Sequence, residues 1–164
     1  MWDEQPIVSV SGICASRGLT EVLGGGSPRT YSLPPTAVSV CQDAFSDQQS
    51  LVSVKLNEGL RVLEYYCFKR TGIRRLALPA SVREIQAYAF EQCRLAQADL
   101  GAARGLKSLT RGVFSRCEEL KCIVLNEGLE SIGTFCFAES ALEQIDVPRS
   151  VRHIGDGAFS GCAS

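Results

Sequence analysis

Phenylalanine recurs along this chain at a nearly constant interval. Six of the seven phenylalanines are separated by 23, 22, 24, 23 and 22 residues, and they are Phe45, Phe68, Phe90, Phe114, Phe137 and Phe159. A fixed period between about 20 and 50 residues indicates one supersecondary unit that is repeated and that buries its apolar face only against its neighbours. The spacing therefore predicts an elongated array of stacked coils rather than a globule with one central core.

Other apolar positions keep a constant distance from each phenylalanine. The residues eight and five positions before it are apolar in every unit, as Val82 and Ile85 are before Phe90. The residue directly before it is small or compact, which predicts a tight site against the next coil. After it comes the pattern L-x-x-L-x-L, as in Ile73 to Leu78. This pattern predicts one short strand per coil, and these strands would form a parallel sheet along one side.

The remaining parts of the unit predict a second strand and a helical piece. The V-x-x-I segment, for example Val82 to Ile85, predicts another short extended stretch. From there through A-F-x-x-C we expect a helical turn or a short 3₁₀ segment. Proline or Asn-Glu-Gly stands at five unit starts, and these residues favour turns because proline lacks an N–H and asparagine and glycine tolerate unusual dihedral angles.

The unit from Pro148 to Cys162, PRSVRHIGDGAFSGC, and the similar unit from Pro79 to Cys93 resemble the BspA-type leucine-rich repeat. The resemblance covers residues 34–164. It implies a curved repeat solenoid of short parallel β-strands joined by short helical or 3₁₀ turns, with about six coils of 22–24 residues. The units start near residues 34, 57, 79, 103, 126 and 148, and the last one is incomplete. Members of this family are often adhesion proteins of bacteria and protists, some are intracellular, and they share no catalytic site.

The two ends of the chain depart from the repeat. Residues 1–33 predict an N-terminal cap or a degraded repeat with a flexible break at Gly24 to Gly26, because the open end of a solenoid needs atypical sequence to cover it. The first residues lack the basic and apolar segments of a secretory signal, which favours an intracellular location. The sequence stops two residues after Cys162, before the expected strand. We therefore expect either a fragment of a longer array or a C-terminal coil that docks on another subunit.

Charge and hydropathy exclude several classes of partner. The net charge is −1 and the pI is near 5.9, whereas a binder of nucleic acid or of anionic membranes would carry a basic excess. The longest apolar run is far below the roughly 18 residues of a membrane-spanning helix. We expect no nucleic-acid partner and no insertion into a membrane.

Cysteine and histidine give no sign of a metal site or of catalysis. Five of the eight cysteines occupy repeat positions, where a free thiol acts as a small buried apolar group; they are Cys67, Cys93, Cys117, Cys136 and Cys162. A disulfide framework is disfavoured, and a crosslink between stacked Cys93 and Cys117 remains the alternative. Paired zinc ligands are missing, and His153, the only histidine, is expected to face solvent without a nucleophile element beside it. We predict no enzyme activity, no metal and no cofactor.

The outward positions of the L-x-x-L-x-L strands are the best candidates for contact with a protein partner. Alternation along a strand places them on the exposed face of the sheet. These candidates start basic and end acidic, and they are Lys55, Arg74, Arg75, Gln97, Asp99, Lys121, Glu143, Gln144 and Asp146. The sequence therefore predicts a non-catalytic protein–protein interaction module. The alternatives are an ordinary solvated face and a structural subunit of a larger assembly.

Overall fold

The computed structural model describes residues 8–9, 12–13 and 29–162, and within these residues it contains thirteen short strands and no helix. No membrane-crossing helix is therefore present in this part of the chain. The strands, in chain order, are β1 (Val8–Ser9), β2 (Gly12–Ile13), β3 (Thr30–Ser32), β4 (Ser39–Val40), β5 (Ser53–Lys55), β6 (Val62–Leu63), β7 (Arg75–Ala77), β8 (Glu84–Ile85), β9 (Gln97–Asp99), β10 (Ser108–Leu109), β11 (Cys122–Val124), β12 (Ser131–Ile132) and β13 (His153–Ile154).

The two-residue strands form one wall of a parallel solenoid. Their order is β1-β2-β4-β6-β8 in one sheet and β10-β12-β13 in another, and every pair is parallel except the β1–β2 pair. Each coil contributes the same two positions, so that Val40, Leu63 and Ile85 lie side by side. The prediction of a second extended stretch at V-x-x-I is confirmed.

The three-residue strands form the opposite wall. β3 pairs with β5, and β7, β9 and β11 form a second sheet in which Leu76, Ala98 and Ile123 are in register. These strands confirm the L-x-x-L-x-L prediction in four units. In the fifth unit, residues 142–147 form no strand, and Val147 is exposed rather than inward-facing. This segment lies at the end of the described array, where only the β11 side offers a strand to pair with.

The segment around each phenylalanine is a series of turns, so the prediction of a helical or 3₁₀ piece is wrong. In every coil the residues two before and two after the phenylalanine have positive φ, for example 55° at Tyr66 and 54° at Arg70 around Phe68. Helices require successive residues in the right-handed region. Since a left-handed residue occurs at every fourth position of this segment, no helix can extend through it.

Main-chain hydrogen bonds explain why these left-handed residues are stable. The N–H groups of Tyr66, Phe68 and Arg70 donate to carbonyls of the next coil at 3.4, 2.8 and 2.8 Å, and the acceptors are Ala87, Ala89 and Glu91. The intervening N–H groups donate within the coil, to the carbonyl three residues earlier. The turn segments thus form a third hydrogen-bonded wall between the two sheets.

The phenylalanines fill the interior as one column. Neighbouring ring centroids are 5.0 to 5.6 Å apart and the planes are within 9° of parallel from Phe45 to Phe159. Tyr31 meets Phe45 edge-on at 5.1 Å and so continues the aromatic column by one coil. Offset aromatic contacts add about 0.5 to 1.5 kcal/mol per pair beyond burial. The predicted interior column of rings is confirmed.

The two ends of the described array differ from its middle. Ile154 is 54% exposed although the same position is fully buried in the preceding coils, and Val151 is only half-buried. Ile154 keeps the register of the buried Ile132 on β12, and it is exposed because no further coil stacks on it within the described residues. Most of residues 1–33 lie outside the described residues, so the N-terminal cap stays a prediction.

Candidate functional site

The outward side chains of β5, β7, β9 and β11, with the residues directly before β7 and β11, form one surface, here called the sheet face. Two rows of it are set by the strand register: Arg75, Gln97 and Cys122 in one row, and Ala77, Asp99 and Val124 in the other. The middle residues of β7, β9 and β11 are buried under this face. The alternation expected from the sequence is therefore present.

All nine residues predicted for partner contact are exposed. The structure brings six of them together on the sheet face: Lys55, Arg74, Arg75, Gln97, Asp99 and Lys121. The other three, Glu143, Gln144 and Asp146, lie in the irregular segment after the last strand of this wall. The acidic end of the predicted gradient is thus exposed but does not belong to the sheet.

The charges on the sheet face are only partly paired. Arg74 Nη1 lies 3.1 Å from Glu119 Oε2, and both side chains are exposed. The Asp99 Oδ1 atom accepts a hydrogen bond from the Gly101 N–H at 2.8 Å. Among the described residues, Lys55, Arg75 and Lys121 form no ion pair. These three cations therefore remain available to carboxylates of another molecule.

A shallow groove of about 680 Å³ runs over this face. Ala77, Lys55, Arg75 and Asp99 are among the residues that line it. Val124, which is 49% exposed, provides an apolar contact at one end. Cys122 and Val124 also occupy outward strand positions, but the candidate set predicted from the sequence held only charged and amide side chains. Their regular outward position was the signal that could have included them.

The buried thiols have a structural role. The Cys93 and Cys117 Sγ atoms donate to the carbonyls of Phe68 and Phe90, at 2.9 and 3.1 Å, so each thiol satisfies a main-chain group of the preceding coil. Burial raises the pKa of the Cys93 thiol to about 11 and also raises the pKa of Cys117. A neutral buried thiol is a poor nucleophile. Both cysteines are free, so the alternative of a crosslink between them is not realised.

Two other cysteines differ from this group. Cys122 is a free thiol exposed on the sheet face. Cys41 forms a disulfide bond, although the sequence disfavoured a disulfide framework. The buried, free state predicted for repeat-position cysteines is confirmed at Cys67, Cys93, Cys117 and Cys136, while Cys162 is free and half-buried.

The described residues offer little that resembles a reactive centre. No three side chains among histidine, cysteine, aspartate and glutamate are grouped closely enough there to hold a metal ion. His153 is exposed on β13, as the sequence predicted.

Comparison with known families identifies the repeat. The family model for the BspA type leucine-rich repeat region matches residues 38–164 in six copies. No match is found among curated proteins.

Several solved structures are similar in fold. A leucine-rich repeat protein of Eubacterium ventriosum is 21% identical with a TM-score of 0.59, covering 84% of this chain and 44% of that one. The leucine-rich repeat protein of T. pallidum is 25% identical with a TM-score of 0.54, covering 85% of this chain and 72% of that one. A leucine-rich repeat protein of Bacteroides ovatus is 16% identical with a TM-score of 0.48, covering 83% of this chain and 47% of that one. The chain spans less than half the length of the Eubacterium and Bacteroides proteins.

Proposed function

Because the chain belongs to the BspA-type leucine-rich repeat family, whose fold typically serves as a non-enzymatic scaffold, we propose that it is a non-catalytic module that binds a protein through the sheet face. Solenoids of this kind offer extended surfaces rather than enclosed pockets. The single observation that supports this role most strongly is the regular exposure of mixed polar and apolar side chains along β7, β9 and β11.

The chemistry of the face suits a protein partner. Ala77 and Val124 supply apolar contact, while Arg75 and Lys121 lack an ion-pair partner among the described residues. Apolar contact in the centre with charges around it is the usual composition of a protein interface. Unpaired cations also favour the approach of a partner that carries negative charge.

A charge-reversal experiment tests this proposal. The chain and its Arg74→Glu, Arg75→Glu double variant would be used to capture proteins from a lysate of the source cells, with identification by mass spectrometry. We expect the variant to lose the specific partner while its far-ultraviolet circular dichroism and unfolding midpoint stay the same. Retention of the same partners by the folded variant would exclude the sheet face.

Two control variants make the result specific. Glu119→Gln removes the ion pair with Arg74 but leaves the positive charges of Arg74 and Arg75 in place. This variant should therefore keep the partner. Arg61→Glu with Arg104→Glu reverses two exposed charges away from the sheet face, and it should keep the partner as well.

A second candidate is a subunit that packs another polypeptide on the coil of residues 148–162. Its support is the exposure of Ile154 on the outer edge of β13, together with the half-buried Phe159. Sedimentation equilibrium and native mass analysis of material from the source cell test it. A stable larger species that dissociates in the Ile154→Asp variant supports this candidate, whereas exchange of partners with an intact monomer supports the first.

A further inference from the structure

β5 and β7 lie in successive coils, yet they belong to different sheets. The only main-chain hydrogen bond between residues 51–56 and 73–78 joins the Arg74 N–H to the Val52 carbonyl at 3.3 Å, just before the two strands begin. The next pair of coils is fully joined, since β7 and β9 keep register at three positions and the Leu78 N–H donates to Asp99 at 2.9 Å. The sheet face therefore contains a gap between β5 and β7.

The gap opens on this wall alone. On the opposite wall β4 and β6 of the same two coils are paired, with Val40 beside Leu63. In the interior the rings of Phe45 and Phe68 stack at 5.0 Å. The two coils are therefore in contact on the opposite wall and in the interior, and they are separated between β5 and β7.

Main-chain groups face this gap from both strands. Polar main-chain groups of a strand alternate between its two flanks. The Lys55 carbonyl accepts from Leu33, so Lys55 faces β3 and Val54 faces the gap. The Arg74 carbonyl accepts from Ala96 and Gln97 in the β9 coil, so the groups of Arg75 and Ala77 face the gap. Both strands therefore present unpaired edges to each other.

Apolar and cationic side chains surround these edges. Val54 and Leu56 are only partly buried, whereas their counterparts Leu76 and Leu78 are 4% and 3% exposed. Lys55 and Arg75 stand outward on either side of the gap and form no ion pair among the described residues. Asp99, the carboxylate on the neighbouring strand, is already engaged by the Gly101 N–H.

We propose that the gap between β5 and β7 receives an extended peptide segment that carries a carboxylate side chain, and that this segment adds as a strand to the exposed edges. The inference rests on the proposed function and names the kind of partner that the sheet face takes. Strand addition uses main-chain hydrogen bonds for affinity and side-chain contacts for specificity. Val54 and Leu56 supply apolar contacts along the strand, and Lys55 and Arg75 supply the cations for its carboxylate.

A display library of random decapeptides tests this inference. Panning against the chain should enrich peptides that carry aspartate or glutamate among β-branched residues, and the best of them would be synthesised with a fluorescent label. Lys55→Glu and Arg75→Glu should each weaken its binding by about tenfold or more, since each removes a charge-assisted contact. Arg104→Glu reverses an exposed charge away from the sheet face, and it should leave the affinity unchanged.

A second measurement distinguishes strand addition from simple charge attraction. N-methylation at alternate amides of the same peptide blocks main-chain hydrogen bonds on one flank at a time. Loss of binding with at least one of the two methylated sets supports strand addition. Undiminished binding of both methylated sets, enrichment of peptides without carboxylates, or unchanged affinity of the Lys55 and Arg75 variants would overturn the inference.

Failure of this inference can be told apart from failure of the proposed function. If no acidic peptide binds but the Arg74→Glu, Arg75→Glu variant still loses its cellular partner, the sheet face remains the binding surface and the gap is not the site. If the peptide fails and that variant keeps every partner, both proposals are wrong.

Discussion

The ring of Tyr88 fills the space that a side chain at Gly112 in the next coil would occupy. A β-carbon at Gly112 would fall well inside van der Waals contact with the Cε1 and Cδ1 atoms of Tyr88. The same relationship joins Phe135 to Gly157. Both glycines occupy the position two before the phenylalanine and have φ near +60°. At the position two before the phenylalanine, an aromatic ring in one coil therefore packs against a glycine in the next coil.

Gly112→Ala is expected to destabilise the array by about 2 to 4 kcal/mol. The new methyl group must displace the Tyr88 ring. Alanine is also less favourable than glycine in the left-handed backbone conformation. Urea unfolding followed by circular dichroism measures the loss. In the background of Tyr88→Ala the cost should fall, because the ring that the methyl group meets is gone.

Gly161→Ala is the matched control for Gly112. Its φ is +69°, but the nearest atom to an added β-carbon, Cγ of Glu139, is 3.4 Å away, so only the backbone term remains. We expect a cost of about 1 to 2 kcal/mol. Equal costs at the two glycines would show that the Tyr88 ring has no part in the effect.

Phe114→Ala is expected to cost about 3 to 5 kcal/mol, because the ring is fully buried and stacks on Phe90 and Phe137 at 5.5 and 5.6 Å. Phe159→Ala should cost clearly less, since that ring is partly exposed and has a stacking partner on one side among the described residues. Chemical denaturation of both variants provides the comparison. A similar loss at both positions would contradict a continuous column.

Stability is expected to fall above about pH 9 through the buried thiols. Burial raises the pKa of the Cys93 thiol from an ordinary 9.0 to about 11, and it raises the pKa of Cys67, Cys117 and Cys136 in the same direction. The native state therefore keeps a proton that the unfolded chain releases. This contribution is complete below pH 9 and is lost as pH rises towards the native pKa, by about 1.4 kcal/mol per pH unit for each thiol.

Cys93→Ala isolates one thiol in this pH dependence. Urea unfolding at several pH values between about 9 and 11 should give a slope that is shallower by about one proton than that of the parent chain. A slope that does not change would mean that the Cys93 thiol is accessible to solvent in the native state.

Thiol reactivity should separate Cys122 from the interior cysteines. In native protein the reagent DTNB is expected to react fast with Cys122, which is exposed, and to leave Cys67, Cys93, Cys117 and Cys136 unmodified until urea is added. The Cys122→Ser variant should lose the fast phase. Fast reaction of a buried cysteine would show that the coils separate readily in the native state.

Two features of this fold could be predicted from the sequence. One is the interior column with its paired strands, and the other is the side of each strand that faces outward. The column from Phe45 to Phe159 and the paired strands follow from periodicity, since any stacking of equal coils must place equivalent residues side by side. The outward position of Arg75 and Asp99 follows from alternation along a strand. These features depend on which positions are apolar, and the sequence contains that information directly.

The turn wall and the gap could not be predicted in this way. Tyr66, Arg70 and Tyr88 have no intrinsic preference for positive φ, and their conformation is maintained by hydrogen bonds to the next coil. β5 and β7 belong to different sheets, although Val54 and Leu76 both match the strand pattern. Neither relationship is visible in the composition of a single repeat.

The amino-acid sequence by itself determined the repeat length, the interior column and the side of each strand that faces outward, because all three follow from the spacing of apolar residues. Only the tertiary structure decided where the pairing of strands between successive coils is continuous and where it is interrupted. It also decided which glycine packs against which ring. These depend on contacts between residues one coil apart, such as Tyr88 with Gly112, whose geometry is set by the packing of whole coils.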